Sequence, residues 1–164
     1  MTAQTTPFDV LAEHKFTRGL TDQQITKLAS LCTGVNFQDD EVILVNGQRS
    51  ESFYLVLKGS ACLELRAARF TVCLQAVGPG EAFGWSAWLD HQDTLFQVRA
   101  REPMQTLCIH GSDLAQLSLT DPELGAELLR RTLKLVAGRV KATEERFAEM
   151  CGVSMNPNRT TARC

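Results

Sequence analysis

Residues 35–110 form a series of short β-like segments, and no stretch of helix length interrupts them. The segments cover residues 35–37, 41–45, 52–57, 61–65, 70–76, 95–101 and 104–109, and glycine or polar residues separate them. Short strands at this spacing are typical of an antiparallel sandwich, roll or barrel. A parallel architecture would need a helix between successive strands. We therefore predict a mainly β core.

A helical pattern precedes this core. Thr21 and Gln24 form a capping box, in which the threonine caps the helix and the glutamine follows three residues later. Ile25 and Leu28 then recur at helical spacing. We predict two short helices within residues 8–33.

Helices also follow the core. Ser112 is predicted to cap a helix at 113–119, and Pro122 lies where proline is favoured, in the first turn of a helix that continues to about Met150. The polar, aperiodic residues after this helix predict a disordered tail. The division we expect is N-terminal helices at 1–34, the β core at 35–110, C-terminal helices at 111–151 and the tail at 152–164.

The stretch 77–101 carries the most specific local pattern. Gly78, Gly80 and Gly84 lie within seven residues, and Pro79 stands between the first two. Glycine permits positive φ and close backbone approach, and proline fixes a turn, so this is a tight, shaped loop. A loop that encloses a small ligand and an ordinary jelly-roll corner both fit this spacing.

This stretch resembles the phosphate-binding cassette of cyclic nucleotide-binding domains, the fold of the catabolite activator protein and of the regulatory subunits of cyclic-nucleotide-dependent kinases. The family cassette reads G-D-x-x-G-E-x-A-L, then a polar break, then R-S/A-A-T-V-x-A. Gly80-Glu81-Ala82-Phe83-Gly84, Ala87, Leu89, Val98 and Ala100 fall on matching positions. Trp85 stands where the family has the glutamate that bonds the ribose hydroxyl. Thr94 stands where it has the arginine that pairs with the cyclic phosphate.

A second segment extends the resemblance. Gly47 and Gly59 lie twelve residues apart with the apolar residues 53–57 between them, as in the family. The similarity then covers roughly 16–147. It implies a cyclic nucleotide-binding-domain-like β-roll, a double-stranded β-helix or jelly roll, with a cassette at 78–100 and a long C-terminal helix.

The resemblance also implies a ligand site and a sensor function without catalysis. The expected ligand-binding residues are Gly80, Phe83, Gly84, Trp85, Ser86, Ala87, Thr94 and Leu95. The amides near residues 85–87 would face the ligand, and the hydroxyls of Ser86 and Thr94 would add donors. The effector would be a cyclic nucleotide or another small molecule that acts on the C-terminal helix.

The departures from the family argue against tight phosphate binding. Replacing the arginine by Thr94 removes a bidentate, charge-assisted contact. The Trp85 indole is only a donor, so it cannot accept a bond from a ribose hydroxyl. Arg99 and Arg101 are on the right strand to serve as phosphate partners, but they also fit as surface charges on the outer face.

The long helix carries an apolar seam. Its members recur at alternating steps of three and four residues over more than three heptads, which is the spacing of a coiled-coil interface. We predict that the first half of the helix packs on the roll and the second half on a partner. The resemblance implies a parallel homodimer through Leu129, Leu133, Val136, Val140 and Phe147.

An alternative function is a protein–protein interaction module whose roll has lost its ligand. Phe83, Trp85, Trp88 and Phe96 would then form an aromatic patch that docks a protein partner, since aromatic residues are enriched in interfaces. Alternatively, Trp85 and Trp88 fill the vacated pocket, and we prefer this interpretation to an exposed patch.

Nothing in the sequence favours an enzyme or a metal site. His14, His91 and His110 are dispersed, and neither a P-loop nor an H-E-x-x-H motif is present. A set of Cys62, Cys73, Cys108 and His110 would hold a metal only if several strand faces coincided. We predict no catalytic and no metal-binding residues.

Bulk properties point to the cytoplasm. No apolar run approaches the roughly 18 residues that span a bilayer, and the N-terminus lacks the basic and apolar regions of a signal peptide. The net charge of −2 argues against a generic nucleic-acid surface. The family's transcription factors continue after the long helix with a helix-turn-helix domain. No such pattern follows the helix in this sequence, so we expect no direct DNA binding.

Six cysteines are scattered along the chain. If a two-residue turn at 67–68 joins strands 61–65 and 70–76, Cys62 faces Cys73 directly. A redox pair and two unconnected thiols are both compatible with this register. We prefer unconnected thiols, because a disulfide framework is not expected in the cytoplasm.

Overall fold

The computed structural model describes residues 6–66, 68–89, 93–94 and 96–153. The helices in these ranges are α1 (Pro7–Glu13), α2 (Asp22–Ala29), α3 (Gly111–Thr120) and α4 (Pro122–Met150), with a 3-10 helix at Trp85–Trp88. The strands are β1 (Thr33–Phe37), β2 (Val42–Leu44), β3 (Ser52–Lys58), β4 (Ala61–Arg66), β5 (Thr71–Val77), β6 (Ala82–Phe83), β7 (Gln97–Ala100) and β8 (Met104–His110).

The strands form two four-stranded antiparallel sheets. One has the order β1-β8-β3-β6 and the other the order β2-β7-β4-β5. Val56, Phe83 and Met104 of the first sheet are buried against Ala61 and Val98 of the second, so the core of the roll lies between the sheets. This confirms the predicted mainly β roll. The sequence did not predict β6, because two residues are too short for an alternating pattern.

A second core lies between the first sheet and the helices. Leu11 of α1, Leu28 of α2, Leu114 of α3 and Leu128 of α4 are buried there with Phe53 of β3. The capping box of α2 is present as predicted, because the Thr21 hydroxyl accepts from the Gln24 amide at 3.2 Å and the Gln24 side chain accepts from the Thr21 amide at 3.0 Å. The flanking helices therefore complete the fold by covering the outer face of one sheet.

The predicted cap of α3 is wrong. The helix begins at Gly111, and Ser112 lies inside it. The chain enters the helix directly from β8, where the Gly111 amide donates to the Glu51 carbonyl at 2.9 Å. A side chain at Gly111 would collide with the Ala87 carbonyl, so this start brings α3 against the 3-10 helix.

Helix α4 is partly buried in its first half and more exposed in its second half. Its buried residues are Leu124, Gly125, Leu128 and Thr132, all in the first half. Gly125 lets α4 approach α3 closely, because a Cβ there would lie 2.6 Å from the Cα of Ser118. Arg131 adds hydrogen bonds to the Phe16 and Arg18 carbonyls at 2.6 and 2.9 Å. The first half of α4 is thus fixed to the rest of the domain, as predicted.

The preference for unconnected thiols at Cys62 and Cys73 is wrong, and so is the two-residue turn. Arg66 pairs with Thr71, so four residues connect the strands, and the pairing then skips Leu74. Cys62 therefore lies opposite Ala76 and not opposite Cys73. The two cysteines nevertheless have Cα atoms 5.9 Å apart, within the usual range for a disulfide, and they form one.

None of the helices in the described ranges combines the length and apolarity that a membrane span needs. The predicted site residue Leu95 and most of the predicted tail, residues 154–164, lie outside the described ranges.

Candidate functional site

The turn at 78–81 positions the start of the cassette. The Gly78 amide donates to the Glu81 carboxylate at 2.7 Å, and the Gly80 amide donates to the Val56 carbonyl at 3.0 Å. Gly80 has φ +84°, and a Cβ there would lie 3.2 Å from the Lys15 side chain. Gly80, a predicted ligand-binding residue, therefore shapes the turn and does not line the cavity described below.

Gly84 directs the chain from β6 into the 3-10 helix. Its φ is +80°, and a Cβ would collide with the Ser52 carbonyl oxygen and lie 3.3 Å from the Ser50 hydroxyl. The Ala87 amide donates to the Gly84 carbonyl at 3.0 Å. That amide is therefore already bonded, and the Ala87 carbonyl faces Gly111 of α3.

A cavity of about 260 Å³ opens beneath the cassette. Five of the eight predicted ligand-binding residues lie in its wall: Phe83, Gly84, Trp85, Ser86 and Thr94. Leu44 of β2, Val98 of β7 and Leu63 of β4 supply an apolar lining from the second sheet. The charged residues of the wall are Asp93 and Arg139.

Trp85 forms part of the wall and leaves the cavity open. Trp88 packs elsewhere, against Phe53 with ring centroids 6.4 Å apart. Phe83 is fully buried and stacks on Tyr54 at 4.9 Å. The predicted exposed aromatic patch is therefore wrong, because two of its four members are packed in the cores. The predicted plug is wrong for Trp88.

The two candidate hydroxyls differ in what they bond. The Thr94 hydroxyl lies 2.8 Å from the Val45 carbonyl and 3.0 Å from the Gln48 carbonyl, and the Thr94 amide also donates to Gln48 at 2.8 Å. Thr94 thus holds the loop after β2. Ser86 is only 7% exposed and lines the cavity, and its hydroxyl bonds no other described residue, so it is the hydroxyl available to a ligand.

Arg99 and Arg101 lie on the outer face of the second sheet and not in the cavity. Both form ion pairs with Glu64, at 3.3 and 2.8 Å, and Arg99 also pairs with Asp40 at 3.2 Å. Only 2% of the Glu64 side chain is exposed, and its carboxylate also accepts a hydrogen bond from the side-chain amide of Gln97 at 2.9 Å. These arginines neutralise a buried carboxylate, which excludes them as phosphate partners in this arrangement.

Arg139 is the cavity residue that the sequence did not single out. It extends from α4 to the cassette, where its guanidinium donates to the Ala82 carbonyl. Burial lowers the pKa of Arg139 to about 10, and the negative charge of Glu81 partly opposes this shift. No carboxylate of the described residues lies within 4 Å of it. In the sequence, Arg139 lies between Val136 and Val140, and this position indicates only a charged residue beside the apolar seam.

A second cavity of about 430 Å³ adjoins the first. It lies between β4, β5 and the second half of α4, and Leu63, Trp85, Phe96 and Arg139 line both cavities. Apart from these shared residues its wall is formed largely by α4, through Val136, Val140, Thr143, Glu144 and Phe147. Arg139 and Trp85 therefore stand at the junction between the roll and the helix.

The described cysteine and histidine side chains do not assemble a metal site. Cys62 and Cys73 are bonded to each other, and the His110 Nδ1 lies 3.2 Å from the Ser52 hydroxyl. Across the described ranges no three metal-binding side chains converge.

The structure thus combines an antiparallel two-sheet roll, a glycine-shaped cassette over a cavity, and a long helix after the roll. The chain belongs to the cyclic nucleotide-binding domain family, whose model matches residues 34–121. No curated protein sequence matches the chain.

Solved structures share this fold. A cyclic nucleotide-binding domain from Methylobacillus flagellatus KT is 19% identical with a TM-score of 0.75, and the match covers 88% of this chain and 82% of that one. A putative cyclic nucleotide-binding protein from Geobacter metallireducens GS-15 is 26% identical with a TM-score of 0.70, covering 82% and 97%. The regulatory subunit of a cAMP-independent protein kinase A from Trypanosoma cruzi, bound to guanosine, is 19% identical with a TM-score of 0.69, covering 88% and 50%.

Proposed function

We propose that the protein is a non-enzymatic sensor in which a small effector occupies the cavity under the cassette and acts on α4. The observation that carries the proposal is the shared wall: Trp85 and Ser86 of the cassette and Arg139 of α4 line one cavity. A molecule in that cavity would contact both elements. Its binding energy would therefore depend on where the helix lies, which is the requirement for a ligand-driven shift.

The uneven anchoring of α4 supports this coupling. Its first half is fixed by buried residues and by the hydrogen bonds of Arg131. In the second half Val140 and Phe147 are exposed over 50% and 66% of their surface. A segment with few buried contacts opens at low cost in free energy. The second half is thus the part of α4 that an effector would move.

The effector class includes nucleotides and nucleosides as candidates. The family binds cyclic nucleotides, but Thr94 offers no charge for a cyclic phosphate, and its hydroxyl bonds the loop after β2. The trypanosomal relative bound to guanosine motivates testing ligands without a phosphate.

Both tryptophans of the chain, Trp85 and Trp88, lie in the 3-10 helix, so intrinsic fluorescence reports on the cassette. We would titrate the protein with cyclic AMP, cyclic GMP, cyclic di-GMP and guanosine, and measure amide exchange of α4 with each ligand that binds. The expected result is altered exchange at residues 136–147. A ligand that binds at the cassette and leaves this exchange unchanged would contradict the coupling.

A cavity-filling variant separates the cavity from other binding surfaces. Ser86→Leu places a larger side chain in the cavity and should abolish the fluorescence response. Ser112→Leu, at an exposed position of α3, is the matched control and should bind as the parent does. Equal binding by both variants would place the ligand outside the cavity and overturn the proposal.

The second candidate is an interaction module, and the apolar surface of α4 favours it. Leu129, Leu133, Val140 and Phe147, the α4 seam, are exposed over 44–68% of their surface. Val136 is partly buried beside them. Exposed apolar rows of this kind mark protein interfaces. The same seam would serve a homodimer, and a sensor would then transmit its state through that dimer.

A further inference from the structure

The guanidinium of Arg139 has few described hydrogen-bond partners and lies among mainly apolar side chains. It donates to one carbonyl, that of Ala82, and the side chain is only partly exposed. Arginine offers five N–H donors, so most of its donors remain for another group. Every other described arginine with a partly buried side chain, Arg99 and Arg131, has a carboxylate partner. Arg139 therefore differs from them in having none.

The surroundings of Arg139 are mainly apolar. Leu63, Trp85 and Phe96 stand beside it in both cavities. The other charged residue of the first cavity, Asp93, is exposed, so water screens its charge. Glu144 lines only the second cavity and is also exposed. Glu81 is the carboxylate whose charge acts on Arg139, but it forms no ion pair with it, is exposed, and accepts a hydrogen bond from the Gly78 amide. A cation without an ion-pair partner that faces apolar walls favours a ligand with the opposite charge.

We propose that the effector is an organic anion with an apolar body, held by Arg139 through its carboxylate, sulfonate or phosphate group. The apolar body would pack on Trp85, Phe96 and Leu63, and the Ser86 hydroxyl would be a second polar contact in the first cavity. This inference rests on the proposed function, because it assumes that the cavity binds an effector. It adds the ligand class and assigns the anion contact to α4.

The charge of the ligand distinguishes binding through Arg139 from binding by apolar contacts alone. A neutral ligand would leave the guanidinium unpaired and further desolvated, which is unfavourable. An anion would form charge-assisted, bidentate hydrogen bonds with it. Binding should therefore discriminate between an anionic and a neutral molecule of nearly the same shape.

The test uses a matched pair of fluorescent probes on the whole protein. 8-Anilinonaphthalene-1-sulfonate carries the anion, and N-phenyl-1-naphthylamine is its neutral counterpart. Arg139→Gln keeps a hydrogen-bond donor for the Ala82 carbonyl but removes the charge. We expect it to weaken sulfonate binding about 10- to 150-fold, the usual contribution of a charged hydrogen bond. Binding of the neutral probe should change less than about twofold.

Three controls accompany this variant. Arg139→Lys keeps the charge but loses the bidentate geometry, so it should weaken sulfonate binding less than Arg139→Gln does. Arg146→Gln removes an exposed charge of the same helix, and Leu133→Ser removes an exposed apolar side chain of the α4 seam; neither residue lines a cavity, and neither change should affect binding. Circular dichroism and thermal unfolding of each variant verify that it is folded.

The outcomes are distinct. Unchanged sulfonate affinity in Arg139→Gln overturns the anion contact but leaves the sensor proposal standing if Ser86→Leu still abolishes binding of the neutral probe. Loss of sulfonate binding in Leu133→Ser places the probe on the seam and overturns this inference. Failure of both probes to bind the parent protein overturns this inference, whereas the proposed function fails only if the nucleotide and nucleoside titrations of Ser86→Leu and Ser112→Leu give equal binding.

Discussion

Restoring the two missing family residues tests whether the cavity remains suited to a cyclic nucleotide. The double substitution Trp85→Glu and Thr94→Arg returns the ribose acceptor and the phosphate arginine to their family positions. Gly80 and Gly84 already have the positive φ that the cassette uses. Hydrogen bonds to charged groups contribute roughly 1.5–3 kcal/mol each, so the two contacts together amount to about two to four decades in affinity.

The structure reduces this gain in two ways. Thr94→Arg removes the hydroxyl that bonds the Val45 and Gln48 carbonyls, a loss of about 1 kcal/mol that loosens the loop after β2. The carboxylate introduced at position 85 would stand beside Arg139 and pair with it in the absence of ligand, which adds about 1 kcal/mol of competition. We therefore expect a net increase of about one to three decades in cyclic AMP affinity.

Calorimetric titration with cyclic AMP on the parent protein, both single variants and the double variant is the assay. Thr94→Val is the control for the lost hydroxyl, since it removes those hydrogen bonds without adding charge. The double variant should bind more tightly than either single variant. An unimproved double variant that is fully folded would refute the reasoning, because it would show that the cavity no longer accommodates the nucleotide.

Three further predictions concern the helix, the cassette and the N-terminal segment. Val140→Glu combined with Phe147→Glu should place charges in the interface of a dimer formed through the α4 seam, dissociate it, and leave the roll folded. Sedimentation is the measurement. A parent protein that is already monomeric at tens of micromolar, about the concentration range of weak association, would contradict the prediction. Gly84→Ala should lower stability by about 2–4 kcal/mol through strain and overlap, and Gly47→Ala, with positive φ but open space, by only about 1–2. Equal losses in chemical denaturation would refute the overlap at Gly84. Burial lowers the pKa of His14 below its usual 6.5, so the folded state binds fewer protons, and stability should fall as the pH drops below about 6.5, by at most 1.4 kcal/mol per unit. The variant His14→Gln should show a flatter profile between pH 6.5 and 5; an unchanged slope would exclude His14 as the cause.

The cassette was predictable because its determinants are local. Gly80 and Gly84 adopt positive φ within a few residues of the contacts that require it, and the spacing of such glycines can be read from the chain. The same holds for the capping box at Thr21 and for the apolar periodicity of α4. Patterns of this kind report on a residue and its immediate neighbours, which is the information that a sequence displays.

The pairings that failed depend on distant parts of the chain. The bulge at Leu74 shifts the register of β4 and β5, and the shift places Cys62 diagonally across from Cys73. No residue of the turn between the strands indicates this bulge. Glu64 resembles a surface residue in an alternating strand, yet Arg99 and Arg101 cover it from β7 and the loop that follows. Side chains that meet across strands leave no signature in the local pattern of either strand.

Arg139 is the clearest case, and its position bears on mechanism. In the family pattern that the cassette resembles, the arginine that pairs with the phosphate belongs to the roll. In this chain Thr94 occupies that position and bonds the loop after β2, and the cation that reaches the cavity belongs to α4. A ligand shifts a conformational equilibrium only by its difference in affinity for the two states. An anion bound to Arg139 would lose its main partner whenever the second half of α4 moved away, so the whole of that contact would favour the docked helix. The cation on the helix would thus make anion binding and helix position one equilibrium.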